Sequence, residues 1–127
     1  MSTDIGVVIL TMGQRPEDLR RALDSVLAQQ DVQAEIVVVG NGWEPIGLPE
    51  GVLGVGLTEN VGIPAGRNAG VMHVGGDLLF FLDDDASLPD PYFLASIKGR
   101  FESDSGLGLI QPRVEDPTGL EPPGRWV

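Results

Sequence analysis

Apolar residues in this chain fall into two rhythms. Gly6-Val7-Val8-Ile9-Leu10, Ile36-Val37-Val38-Val39 and Leu78-Leu79-Phe80-Phe81-Leu82 are short unbroken runs bounded by turn residues. Such runs, several rich in β-branched residues, read as strands buried on both faces, the habit of parallel sheets. Leu19, Ala22, Leu23, Val26 and Leu27 instead recur at helical spacing and form one apolar stripe. Pro16 suits the first turn of that helix, with Glu17 and Asp18 favourable to its dipole, and its end is expected near Gln30. Gly40-Asn41-Gly42 stops the second strand sharply. A Gly- and Pro-containing loop then runs from Trp43 to about Gly54, and Val55-Gly56-Leu57 reads as a short third strand.

The pattern continues with a second helix, over the latter half of the stretch from Glu59 to Gly70 and on to about His73. Its glycines each cost up to ~1 kcal/mol relative to alanine. Close packing of that helix on the sheet explains them most simply, with approach of a ligand as the other reading. Gly75-Gly76 ends it, and Leu78–Leu82 follows as a strand. Asp90 is placed to cap a third helix, with Pro91 in its first turn, running to about Phe101. Leu107-Gly108-Leu109-Ile110 reads as a further strand. The order β-α-β-β-α-β-α-β predicts an α/β domain, a mainly parallel sheet with helices on both faces, over residues 1–112. Residues 113–127 form a Pro-rich tail without periodicity.

Composition narrows the function. The 127 residues suit one domain with one core. A net charge of −11 argues against a nucleic-acid partner, which needs a basic face. No apolar run approaches the roughly 20 residues of a membrane span, and the N-terminus lacks a signal-peptide pattern. The absence of cysteine excludes disulfides, zinc–thiolate sites and a thiol nucleophile, and fits a cytoplasmic location.

Candidate chemistry concentrates at Asp83-Asp84-Asp85, directly after the most apolar run. Adjacent carboxylates repel wherever they are partly desolvated, and a hard divalent cation such as Mg²⁺ or Mn²⁺ is their natural compensation. The carboxyl end of a strand is also where open α/β sheets bind ligands. The plainer reading is an acidic turn leading into the third helix. Arg67, on the glycine-rich helix, is placed to pair with the triplet or hold a phosphate or base edge, unless it is a solvated surface residue. The turns Thr11–Arg15 and Gly40-Asn41-Gly42 open at the same sheet edge if their strands are parallel neighbours. His73, the only histidine, is not assigned a role. A P-loop, a G-x-G-x-x-G after the first strand and a serine-hydrolase elbow are all absent.

Four segments together resemble family 2 glycosyltransferases of the GT-A fold. They are Val7–Leu19, Glu35–Gly42, Glu59–Gly70 and Phe81–Asp85 with Pro89-Asp90. The resemblance implies a nucleotide-diphosphate sugar donor, a Mn²⁺ or Mg²⁺ ion, and an acceptor hydroxyl that displaces the nucleoside diphosphate from the anomeric carbon with inversion. Asp83-Asp84-Asp85 looks like the family's D-x-D motif, which makes Asp85 the metal ligand, Asp83 its partner toward ribose or metal, and Asp84 the middle position. Thr11, Met12 and Arg15 fall in the turn that frames the nucleotide, and Arg67 looks like the base- or phosphate-contacting arginine. Where the family has an Asp contacting the base, this chain has Gly40, so either Asn41 beside it substitutes or the base is recognised differently.

The family's acceptor half and catalytic base lie beyond the D-x-D unit. The chain therefore reads as the nucleotide-binding half, with residues 113–127 the start of a truncated acceptor region and no catalytic base assigned. A shortened sheet leaves an edge that a second copy would cover in a homo-oligomer. Two other classes fit the length and alternation. A regulatory or nucleotide-binding α/β module, such as a phosphoacceptor receiver, has acids after its first strand, where Thr11-Met12-Gly13-Gln14 has none. A sugar-phosphate nucleotidyltransferase has a Gly-rich, Arg-containing loop there, of which only Gly13 and Arg15 remain.

Overall fold

A computed structural model describes residues 2–116 and 118. Four strands, β1 (Ile5–Thr11), β2 (Ala34–Gly40), β3 (Val52–Gly56) and β4 (Leu78–Asp83), form one sheet in the order β3-β2-β1-β4. Every pairing is parallel. Three helices connect them: α1 (Pro16–Leu27), α2 (Ile63–Val71) and α3 (Phe93–Ser103).

Alternation along the strands sorts the core into two layers. Ile5, Val7, Ile9, Ile36, Val38 and Leu82 face Leu19, Ala22, Leu23 and Val26 of α1 and Leu94 of α3. Val8, Val37 and Val39 face the other way, against Ala69 and Val71 of α2. Helices thus cover both faces, as the pattern of unbroken apolar strands predicts. The glycines of α2 are explained by packing. A Cβ at Gly70 would lie 2.5 Å from Val8 Cγ1, and one at Gly66 would lie 2.7 Å from Leu10 Cδ1. Helix and sheet meet backbone to side chain at these positions.

Three expectations need correction. First, β4 is an edge strand, not a strand buried on both faces. Its burial alternates, and Leu79 (46% exposed) and Phe81 (41%) lie open on the α2 side because α2 packs over β1 and β2. Second, Leu107–Ile110 forms no strand: Leu109 is 83% exposed, and no ladder among the described residues pairs with this segment. Apolar and extended residues become a strand only where a neighbour supplies hydrogen bonds. Third, α3 begins at Phe93, two residues after Pro91. The Asp90 carboxylate accepts the Tyr92 N–H at 2.8 Å, and the Leu94 N–H is satisfied by Gln29 Oε1 at 2.9 Å, so a residue just past the end of α1 helps cap α3. Smaller differences are that β3 starts earlier, at Val52, and that α1 and α2 end at Leu27 and Val71.

The start of β1 is held by charge. Asp4 accepts the Gln33 N–H at 2.8 Å and pairs with Lys98 at 3.5 Å. The Gln33 hydrogen bond, aided by Lys98 and opposed by desolvation, lowers the Asp4 pKa below its ordinary value.

Two stability measurements follow. Gly70→Ala overpacks the helix–sheet contact at a cost of ~1–3 kcal/mol, against a helix-propensity gain of up to ~1 kcal/mol. It should therefore lower the urea midpoint. Gly99→Ala, on α3 where a Cβ meets open space, should raise it. Because Asp4 has a depressed folded pKa, its stabilisation is present above the unfolded aspartate value of ~3.9 and is lost as pH falls through the lower folded value. Asp4→Asn should therefore destabilise at pH 7, with the difference from wild type closing below about pH 4 in urea titrations.

Candidate active site at the β1–β4 switch point

All four strands run the same way, so their carboxyl ends open on one edge. From β1 the chain steps to β2 and β3 on one side, and α2 then carries it across to β4 on the other. Strand order therefore reverses between β1 and β4, the crevice where open α/β sheets bind ligands. Thr11 ends β1 there and Asp83-Asp84-Asp85 follows β4.

Strand alternation decides how the three carboxylates are tolerated. Leu82 faces the α1 layer, so Asp84 turns toward it and Asp83 turns the opposite way, with Phe81. Asp84 is buried, at 7% exposure. It accepts the Thr11 hydroxyl at 2.8 Å and Arg15 Nη2 at 2.8 Å. Thr11 Oγ1 in turn accepts the Gly13 N–H at 3.1 Å, which shapes the turn after β1. Leu10 pairs with Asp83 in the ladder, so Thr11 and Asp84 are the next step beyond it, and side chains continue the pairing where the backbone stops.

Asp85 is held by the other arm of the same guanidinium, Arg15 Nη1 to Oδ2 at 3.1 Å. Asp83, with a side chain 70% exposed, meets Arg67 Nη2 at 3.3 Å, and that guanidinium lies 5.4 Å from the Phe81 ring centroid. The protein thus meets three carboxylates with two arginines.

Other predicted residues lie apart from this network. Met12 is 48% exposed and its sulfur accepts Asn60 Nδ2 at 3.4 Å. Asn41 is buried, and its amide is engaged at both ends: Oδ1 accepts the Val61 N–H at 2.9 Å, and Nδ2 donates to the Gly62 carbonyl at 3.2 Å. It ties the end of β2 to the entry of α2. At Gly40 a Cβ would run into the Trp43 carbonyl oxygen. An aspartate at that position has no room, because the chain folds Trp43 back over it. Trp43, Asn60 and Phe81 join the crevice without being candidates on sequence grounds. Asn60 and Phe81 both lie in segments that resemble the family, whereas Trp43 sits in no pattern.

Among the described residues, no group of three or more His, Cys, Asp or Glu side chains is gathered to hold a metal. The donor set still fits a divalent ion of the kind bound by one or two carboxylates and completed by substrate phosphates. Asp83 and Asp85 are the outward-facing members of the triplet, while Asp84 is taken up by Thr11 and Arg15.

The Glycosyl transferase family 2 profile matches residues 7–120. The chain belongs to this family. A galactofuranosyltransferase, GlfT1 of Mycobacterium tuberculosis, is 30% identical over 139 aligned positions, which cover 98% of this chain and 45% of GlfT1. The chain thus spans a little under half the length of that relative.

Solved structures share the GT-A fold. S. aureus TarS 1-349 superimposes with a TM-score of 0.66 at 21% identity, covering 80% of this chain and 33% of that one. The mannosyltransferase PcManGT of Pyrobaculum calidifontis, solved with GDP-Man and Mn²⁺, has a TM-score of 0.62 at 23% identity, covering 77% and 34%. TarS 1-349 in complex with UDP has a TM-score of 0.65 at 20% identity, covering 86% and 38%. No helix among the described residues is long and apolar enough to cross a membrane.

The three acids should differ in their effect on folding. Asp84→Ala strands the buried Thr11 hydroxyl and one arm of Arg15, at a cost of ~1–3 kcal/mol. Asp83→Ala removes one exposed ion pair, worth under ~1 kcal/mol. Urea unfolding of the two variants should show that order.

Proposed function

We propose that this chain is the donor-binding part of an inverting glycosyltransferase and binds a nucleotide-diphosphate sugar at the β1–β4 crevice with Mn²⁺ or Mg²⁺. The observation that carries the reading is the position of the triplet: two outward carboxylates, steadied by a buried third, at the strand-order switch of a family 2 chain. Donor and ion are supported by the relatives solved with UDP and with GDP-Man and Mn²⁺.

Asp85 is the ion's first ligand and Asp83 its partner toward ribose or metal. When bound, the ion neutralises charge that grows on the departing diphosphate. Arg15 and Arg67 supply positive charge on either side of the triplet, in a chain whose net charge of −11 would otherwise repel an anionic donor. The nucleobase lies toward the turn of Thr11 and Met12 and the end of β2. There the Trp43 backbone occupies the room a carboxylate at position 40 would need, so base recognition falls to other groups. The attacking group is an acceptor hydroxyl. A cytoplasmic location suits a cysteine-free chain using nucleotide sugars.

Calorimetric titration of UDP, GDP and dTDP, with and without Mn²⁺, tests the reading on wild type and Asp85→Asn. One nucleotide should bind in a Mn²⁺-dependent way, and the substitution should abolish that binding. Equal, weak, metal-independent binding of all three would exclude it.

A further inference from the structure

Asp85, the proposed ion ligand, is already bound to a cation that belongs to the chain. Arg15 forks across two carboxylates, with Nη2 on Asp84 at 2.8 Å and Nη1 on Asp85 at 3.1 Å. Its two contacts are unequal. Asp84 has a side chain only 10% exposed, and Thr11 fixes its other oxygen, whereas Asp85 is 48% exposed. One arm of the guanidinium is therefore anchored in a buried network and the other rests on a solvated group. Arg67 differs: it makes a single contact of 3.3 Å to an exposed carboxylate and lies over Phe81.

We infer that Arg15 is an exchangeable counter-ion. A divalent ion displaces it from Asp85 while Asp84 keeps hold of it, and the released arm is delivered to the diphosphate. The inference rests on the proposed donor site and adds a coupling within it. A cation of charge +2 and a guanidinium of charge +1 compete for the same carboxylate oxygen, and at a few ångströms they repel one another. The ion therefore binds against Arg15 when it arrives alone. Once a diphosphate is present, the same guanidinium has an anion to bind, in the forked geometry that suits phosphate oxygens. Arg15 thus opposes the bare ion and favours the ion–nucleotide pair, so occupancy by metal without donor is suppressed. The pivot is geometric: Arg15 immediately precedes Pro16 at the start of α1, so its backbone is fixed while its side chain reaches the triplet.

The test measures ion and nucleotide separately. Mn²⁺ binding without nucleotide, followed by the electron paramagnetic resonance of free Mn²⁺ at constant ionic strength, should tighten in Arg15→Ala by roughly three- to tenfold. Arg15→Gln is a second neutral variant that can still donate a hydrogen bond to Asp84, and it should tighten Mn²⁺ binding similarly. Arg20→Ala removes the same charge from the same helix and frees Asp24 from an exposed pair at 3.1 Å, so it controls for net charge. It should leave Mn²⁺ affinity within about twofold of wild type. At saturating Mn²⁺, nucleoside diphosphate binding should weaken in both Arg15 variants by about tenfold.

Unchanged or weaker Mn²⁺ binding in both Arg15 variants would overturn the exchange, as would equal tightening in Arg20→Ala. The two readings fail separately. Loss of Mn²⁺-dependent nucleotide binding in Asp85→Asn, together with unaltered Mn²⁺ binding in the Arg15 variants, keeps the donor site and removes the exchange. Tightened Mn²⁺ binding with no nucleotide bound by any variant keeps the competition for Asp85 but removes both the donor site and delivery of Arg15 to a diphosphate.

Discussion

The structure turns on one electrostatic constraint, three carboxylates in sequence at the end of a strand. Pleating is the first part of its resolution, because it sends Asp84 inward and Asp83 outward instead of letting neighbours crowd. The second part is the Thr11–Asp84 hydrogen bond, which closes the β1–β4 seam just beyond the backbone ladder. Arginines from the start of α1 and the middle of α2 complete it. Each of the two helix layers contributes one guanidinium to the crown of the sheet, so the local charge balance depends on the fold being assembled.

Much of this was legible in the chain because it rests on local pattern. Unbroken apolar runs marked the strands, the stripe from Leu19 to Leu27 marked α1, and the glycines of the second helix marked close packing, which Gly66 and Gly70 now show in contact with Leu10 and Val8. Failures came where a non-local partner decides. The apolar content of Leu78–Leu82 could not show that no helix among the described residues covers its α2 side. The segment 107–110 has strand-like residues but no strand among the described residues to pair with. Asp90 looked like a helix cap and does accept the Tyr92 N–H, but α3 starts only at Phe93, and Gln29, far away in sequence, takes the Leu94 N–H.

The geometry of the candidate site was legible to a similar depth. The position of the triplet and the involvement of Arg67 follow from strand order and from the glycine-rich helix. The division of labour among the acids does not, because it depends on which faces of the sheet are covered. Asn41 and Gly40 make the same point from the other side of the crevice. An amide beside a missing carboxylate suggested substitution, yet its two ends are engaged with the Val61 and Gly62 backbone, and the emptiness of position 40 is filled by the carbonyl of Trp43.

The half-open edge of β4 also bears on behaviour in solution. Leu78 to Leu82 is a five-residue apolar stretch of high strand propensity, on the margin of the sheet, with Leu79 and Phe81 exposed. Segments of that kind template strand-to-strand aggregation unless charge interrupts them. Here Asp77 precedes the run and Asp83 follows it, both exposed, so two edges brought together in a parallel, in-register stack would align like charges at each end. The first acid of the triplet would therefore also oppose such stacking of the strand that carries it.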